Sequence, residues 1–165
     1  MCEYALTCQG AGSATLDEIR PEQRECKALT ADRSEVLPML ESASTHTMIA
    51  VKDLSRAREF YTGVLGLTPS DERRGAIRYE TRGGTWFLVY ESAYAGTTKS
   101  TSMRFEVEDI ERVVEHLRGR GIVFEEYDLP GVKTVDGIAT HESGARGAWF
   151  KDPDGNTLQI AHYGK

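Results

Sequence analysis

The sequence predicts an α+β protein built from two βαβββ repeats, whose curved mixed sheets surround a cleft. Three observations point there. From Ser44 onward, short apolar runs rich in Val, Ile, Phe, Tyr and Trp alternate with the turn segments RGG, YAG, RGRG, LPG and DPDGN, the pattern of strands and tight connections. Two stretches within that region match each other at constant spacing. A strand, a sharp turn and a strand then close each half.

The matching stretches are THTMIAVKDLSRAREFY and TSMRFEVEDIERVVEHL. Thr45, Val51, Asp53, Arg56 and Glu59 recur as Thr101, Val107, Asp109, Arg112 and Glu115, and each pair is 56 residues apart. In each copy a strand runs into an aspartate, which can accept the orphan amide hydrogen bonds of a helix start. A helix follows, with an apolar stripe at helical spacing: Leu54, Ala57, Tyr61 and Val64 in the first copy, Ile110, Val113, Val114 and Leu117 in the second. Both helices run out at glycine, in LGL and RGI. After the first come the runs AIRYETRGG and TWFLVYES. After the second come IVFEEYDL, a long connection PGVKTVDGIATHESGA, and the pair RGAWFKD and GNTLQIAHY. Placing Gly84 over Gly155 sets Leu88 over Gln159, so the last strands of the two halves also correspond. In DPDGN, Pro153 presets the bend, and Gly155 and Asn156 tolerate the positive φ it needs.

Before the repeats, residues 1–43 are charge-rich with scattered leucines and two prolines, and read as a partly helical or flexible extension. The domain proper is 44–165, with repeats at about 44–98 and 99–165. All three cysteines, Cys2, Cys8 and Cys26, fall in the extension without metal-ligand spacing, which suits incidental thiols in a reducing cytoplasm. No basic-then-apolar leader opens the chain, so a cytoplasmic location is expected.

At 165 residues, with 39% hydrophobic and 28% charged residues, the chain suits one globular domain. No apolar run approaches the roughly 18 residues of a membrane span. The net charge of -6 argues against nucleic acid as a partner, since phosphate backbones are bound by clustered Lys and Arg.

HTMIAVKDLSRAREFYTGVLGL and WFKDPDGNTLQI, in this order and across Ser44 to Tyr163, resemble the vicinal oxygen chelate superfamily, which includes glyoxalase I, extradiol dioxygenases and the fosfomycin and bleomycin resistance proteins. The resemblance implies a fold, and leaves the chemistry open because one scaffold serves many functions. It also implies a homodimer, since members with one pair of repeats commonly dimerise and open curved sheets leave edges for a two-fold partner to cover.

Metal-using members draw ligands from the first and last strands of each repeat. Carried onto this chain, those positions are His46, Leu88, Ser102 and Gln159. Leucine offers no donor, serine a poor one, and Gln159 a neutral oxygen where such enzymes usually present glutamate. The candidate metal ligands are therefore His46 and Gln159, with His141, Glu91 and Glu106 as possible additions. An open catalytic site needs about three protein ligands, so no cofactor is expected. A divalent ion (Ni, Zn, Mn or Fe) is the alternative, and a hydrogen-bonded strand histidine is the other reading of His46.

Strand alternation adds neighbours to these positions: Met48 beside His46, Trp86 and Tyr90 beside Leu88, Arg104 and Glu106 beside Ser102. Arg104 and Glu106 are paired or functional, because charges on a face expected to be buried must be one or the other. The ligand-binding candidates are His46, Met48, Trp86, Tyr90, Arg104, Glu106 and Gln159, grouped around one cavity, with a flat or anionic ligand stacked on Trp86 and paired with Arg104. His116 reads as solvated, and His162 as facing away from the cleft. No catalytic residue can be named. The expected function is binding of a small molecule without a complete metal site. The alternative is a metal-dependent lyase, isomerase or dioxygenase with an altered ligand set.

Overall fold

A computed structural model describes residues 43–164. The extension expected over 1–43, with its cysteines, lies outside the described residues except for Ala43. The first half runs β1 (Thr47–Val51), α1 (Leu54–Arg58) continuing as a π-helical turn (Glu59–Val64), β2 (Pro69–Arg73), β3 (Ala76–Glu80) and β4 (Trp86–Glu91). This is the expected βαβββ unit. Its sheet has the order β1-β4-β3-β2, with β1 and β4 parallel.

Asp53 caps α1 by accepting from the backbone N–H of Ser55 and Arg56 at 2.8 and 3.0 Å. The helix then widens, and Leu65 N donates to Phe60 O, five residues back. That extra residue turns both Phe60 and Tyr61 into the core beside Ala57, while Leu54 and Val64 pack at its edge. The expected stripe omitted Phe60 because it assumed an unbroken α-helical period. Gly66, at φ 74, ends the helix in the left-handed region that glycine adopts without strain.

The second half contains β5 (Thr101–Glu106), α2 (Ile110–Gly119), β6 (Asp128–Leu129), β7 (Val132–Val135), β8 (Ile138–Thr140), β9 (Arg146–Lys151) and β10 (Thr157–His162). These strands form a six-stranded sheet in the order β5-β10-β9-β8-β7-β6. Asp109 caps α2 through Arg112 N at 2.9 Å, and the buried stripe is Ile110, Val114 and Leu117, with Val113 packed beside it.

Here the structure departs from the expected chain path. IVFEEYDL is mostly irregular, contributing a single bridge from Phe124 to Phe150 and the short β6. The expected long connection instead folds into the β7–β8 hairpin, whose turn holds Asp136 at φ 51 and Gly137 at φ 73. Asp-Gly is a favoured pair for such a turn because both positions need positive φ.

One core joins the halves. Ile49 and Val51 of β1, Phe87 and Val89 of β4, Met103 of β5, Phe150 of β9, and Leu158 and Ile160 of β10 belong to the same buried cluster. Alternation along each strand therefore leaves the opposite side of each sheet open: Met48 is exposed next to buried Ile49, and Arg104 next to buried Met103.

The DPDGN turn ties the halves with polar bonds. Asp152 is buried; its Oδ1 accepts from Asp154 N and Asn156 N, and its Oδ2 accepts from Asn156 Nδ2 and, at 3.0 Å, from the Tyr61 hydroxyl. Asn156 Nδ2 also donates to Ala50 O at 2.9 Å, and Arg56 pairs with Asp154 at 2.6 Å. Burial, reinforced by the Asp152 charge, pushes the Tyr61 phenol far above its ordinary pKa and keeps it the donor. Only Gly155 in this turn takes positive φ. Asn156 does not, and contributes its side chain instead. Gly96 lies against the turn so closely that a Cβ there would collide with Asp154 O.

Candidate functional site

The candidate residues come together in two groups, one on the open face of each sheet. On the first sheet, β1 and β4 are neighbours in a register that sets Met48 opposite Leu88 and Ala50 opposite Tyr90. His46, just before β1, stacks its ring on Trp86 at a centroid distance of 3.6 Å and 18° between planes. The Arg78 guanidinium of β3 lies 4.5 Å from the same indole. β1 and β3 flank β4 on its two sides, so histidine and arginine reach Trp86 from the two neighbouring strands. A ligand stacked on Trp86, as the sequence suggested, would share the indole with these side chains. His46 makes this ring contact rather than a hydrogen bond among the described residues.

On the second sheet, Gln159 lies on β10 between Arg104 of β5 and Trp149 of β9. Gln159 is 7% exposed, buried but on the open side of its strand. Its Oε1 accepts from Arg104 Nε at 2.7 Å. Another guanidinium nitrogen, Nη1, donates to the Tyr163 hydroxyl, and the Tyr163 ring centroid is 5.6 Å from Cζ. Arg104 and Glu106, expected to be paired or functional, are not bonded to each other, and Arg104 Nε and Nη1 donate to neutral oxygens. The Trp149 indole N–H donates to Thr101 Oγ1 at 3.2 Å, and Tyr127 meets the Trp149 ring edge-on at 5.6 Å. Burial raises the Tyr127 phenol above its ordinary pKa, with Glu125 adding to the rise, so Tyr127 presents a neutral ring to Trp149.

Gly147 makes this arrangement possible. A Cβ there would come within 2.7 Å of Gln159 Nε2 and 3.0 Å of Trp149 Cη2, so only glycine lets both side chains lie across β9.

Several of these partners were not legible as site residues. Trp149 follows from the hairpin register, which sets Lys151 opposite Thr157 and so Trp149 opposite Gln159. Thr101 reaches the open face because the register shifts by one residue around Ser102, a β-bulge that breaks strict alternation. Ser102 Oγ is buried there with no hydrogen-bond partner among the described residues.

Among the described residues, no hydrogen bond or ring contact joins the His46–Trp86 group to the Arg104–Gln159 group. A groove of about 1530 Å³ lies on the helical side, lined by Leu65, Leu67, Val113 and Leu117 among others. Of the candidates, only Glu106 lines it. His162 lines it too, with Nδ1 3.0 Å from Val107 O, on the side away from Gln159 as its position in the strand implies. His116 is exposed, and His141 Nδ1 meets Ser143 Oγ in the turn between β8 and β9.

A divalent ion does not fit this set. Leu88 offers no donor, His46 is stacked on Trp86, and the Gln159 oxygen already accepts from a guanidinium whose positive charge would repel a cation. Among the described residues, no three of His, Cys, Asp and Glu are grouped to hold a metal. No helix among them is long and apolar enough to cross a membrane.

Two repeated strand-helix-strand units, joined through one core and each presenting an open sheet face that bears polar and aromatic side chains, define a paired-module scaffold. The chain belongs to the Glyoxalase/Bleomycin resistance protein/Dioxygenase superfamily, whose family model matches residues 43–160. Its fold is similar to that of a glyoxalase/bleomycin resistance protein from Catenulispora acidiphila (TM-score 0.57, 21% identity, 74% of this chain and 100% of that one). A family member from Sphaerobacter thermophilus (0.55, 22%, 74% and 98%) and a lactoylglutathione lyase from Agrobacterium tumefaciens (0.56, 17%, 73% and 93%) share it as well. At these identities the likeness is one of fold. No curated protein matches the sequence.

Proposed function

We propose that the protein binds a small molecule on its open sheet faces and does so without a tightly held metal ion. The observation that carries this reading is the bond from Arg104 Nε to Gln159 Oε1, which puts a permanent positive charge against the oxygen that metal coordination would need. Binding then rests on oriented hydrogen bonds and aromatic contact, the usual equipment of an organic-ligand site. We also take the working form to be a homodimer, because the described residues leave each open face uncovered and the exposed Met48 lies on one of them. Sedimentation showing a monomer at micromolar concentration would contradict that.

A second reading, a metal-dependent lyase, isomerase or dioxygenase with an altered ligand set, has one observation in its favour. His46 stands on the open face at the start of β1, where a second chain could add donors. The two readings separate in a titration of chelator-treated protein with a set of aromatic fragments, followed by NMR. Saturable shifts at open-face residues support metal-free binding. Binding that appears only after a divalent ion is added contradicts it.

A further inference from the structure

The open face of the second sheet has more hydrogen-bond donors than its own residues use. We propose that it is an anion site, selecting a monocarboxylate attached to a planar ring; this specifies a ligand for the small-molecule reading above and rests on it. Arg104 is held at two points, through Nε to Gln159 and through Nη1 to Tyr163, and makes no salt bridge with an acid among the described residues. Among the described residues, Nη2 has no acceptor, so it can turn its hydrogens to an incoming one on a guanidinium whose orientation is already fixed. A guanidinium held in this way loses little freedom on binding a carboxylate, which Nη2 can meet with a charge-assisted hydrogen bond.

Gln159 adds to the same field. Its oxygen is committed to Arg104, which fixes the amide orientation and turns Nε2 toward Gly147 with two N–H donors. Among the described residues the acceptor is used and the donors have no partner, so the polarity that the pair offers is positive.

The ring preference comes from Trp149. Its indole N–H is anchored on Thr101, and Tyr127 abuts it edge-on, so the indole is a braced aromatic surface one strand from the donors. The preference for one negative charge comes from Arg104 itself, whose single cation balances one carboxylate.

The test uses the full chain with arginine Nε–H and tryptophan Nε1–H signals followed by NMR, and benzoate and benzamide as probes. Benzoate should shift Arg104 and Trp149 saturably, while benzamide, of the same shape without the charge, should bind at least about tenfold more weakly. Arg104→Gln should lose at least about tenfold in benzoate affinity. Gln159→Glu should do the same, because its new carboxylate would occupy the Arg104 donors; an unchanged backbone amide spectrum would show that the variant is folded. No saturable shift with benzoate would overturn the proposal. Equal binding of both probes, indifferent to Arg104→Gln, would overturn the anion site while leaving a neutral small-molecule site standing. Metal-dependent binding of the probes would instead bring down the underlying reading.

Discussion

On the first sheet, the last strand carries Leu88 between Trp86 and Tyr90, and the prominent polar groups there, His46 and Arg78, are spent on the faces of Trp86. On the second sheet, the corresponding position is Gln159, whose neighbours Arg104 and Trp149 are fixed by bonds to Tyr163 and Thr101 yet keep donors and ring surface to offer. The same repeat thus yields one face whose polar side chains pack on its own indole and one whose donors are, among the described residues, only partly used. A repeat copies the backbone plan, while function follows from which side chains the copy leaves unsatisfied.

The largest expected effect comes from breaking what the two faces share. Phe150 is fully buried against Phe60 of the first half and Phe124 of the second, at 6.4 and 5.6 Å between centroids. Phe150→Ala should cost about 3–5 kcal/mol. The chain has two tryptophans, one per sheet. In Trp86→Phe and Trp149→Phe backgrounds, urea transitions should coincide if the halves unfold together; separated transitions would mean that each face stands on its own core.

Next in size is the polar tie. Tyr61→Phe removes the donor to buried Asp152 and should cost about 1.5–3 kcal/mol, the range for a hydrogen bond to a charged group. The pH dependence has a definite sign. The folded Tyr61 pKa is raised above the ordinary value near 10. Its contribution is therefore fully present below about pH 10 and fades as pH rises beyond, because only the unfolded phenol ionises readily there. Wild-type stability should fall with alkaline pH more steeply than that of Tyr61→Phe, as read by denaturant midpoints.

Smaller in stability and sharper in meaning is Gln159→Leu, which makes the second face resemble the first. Arg104 is exposed and water can replace the lost acceptor, so stability should change by less than about 1 kcal/mol. Benzoate shifts at Trp149 should nonetheless disappear. Leu88→Gln, the reverse exchange, should create no benzoate response at Trp86, because the indole already carries the His46 ring and the Arg78 guanidinium.

Local rules made much of the fold legible. Asp53 and Asp109 cap as their positions imply, and alternation correctly separates Ile49 and Val51 from Met48. The charged strand Pro69–Arg73 left no apolar alternation to read, as is common at a sheet edge. The β7–β8 hairpin was announced by Asp136-Gly137, a dipeptide signal outweighed by the length of the surrounding polar segment. The π-helical turn and the bulge at Ser102 each insert one residue, and periodic reading has no means to foresee an insertion. The site was legible in part for a different reason. Parity placed Gln159 and Arg104 on one face, but which bonds a side chain makes there depends on neighbouring strands far away in sequence, as Trp149, Thr101 and Tyr163 show.

The most direct test of the central claim, that the open faces work without a bound metal, is metal analysis of protein purified without added metal, followed by calorimetric titration with nickel, zinc, manganese and iron(II). The arrangement of Arg104 against Gln159 predicts no stoichiometric ion and no saturable heat. Near one equivalent of bound ion, lost on His46→Ala, would contradict it.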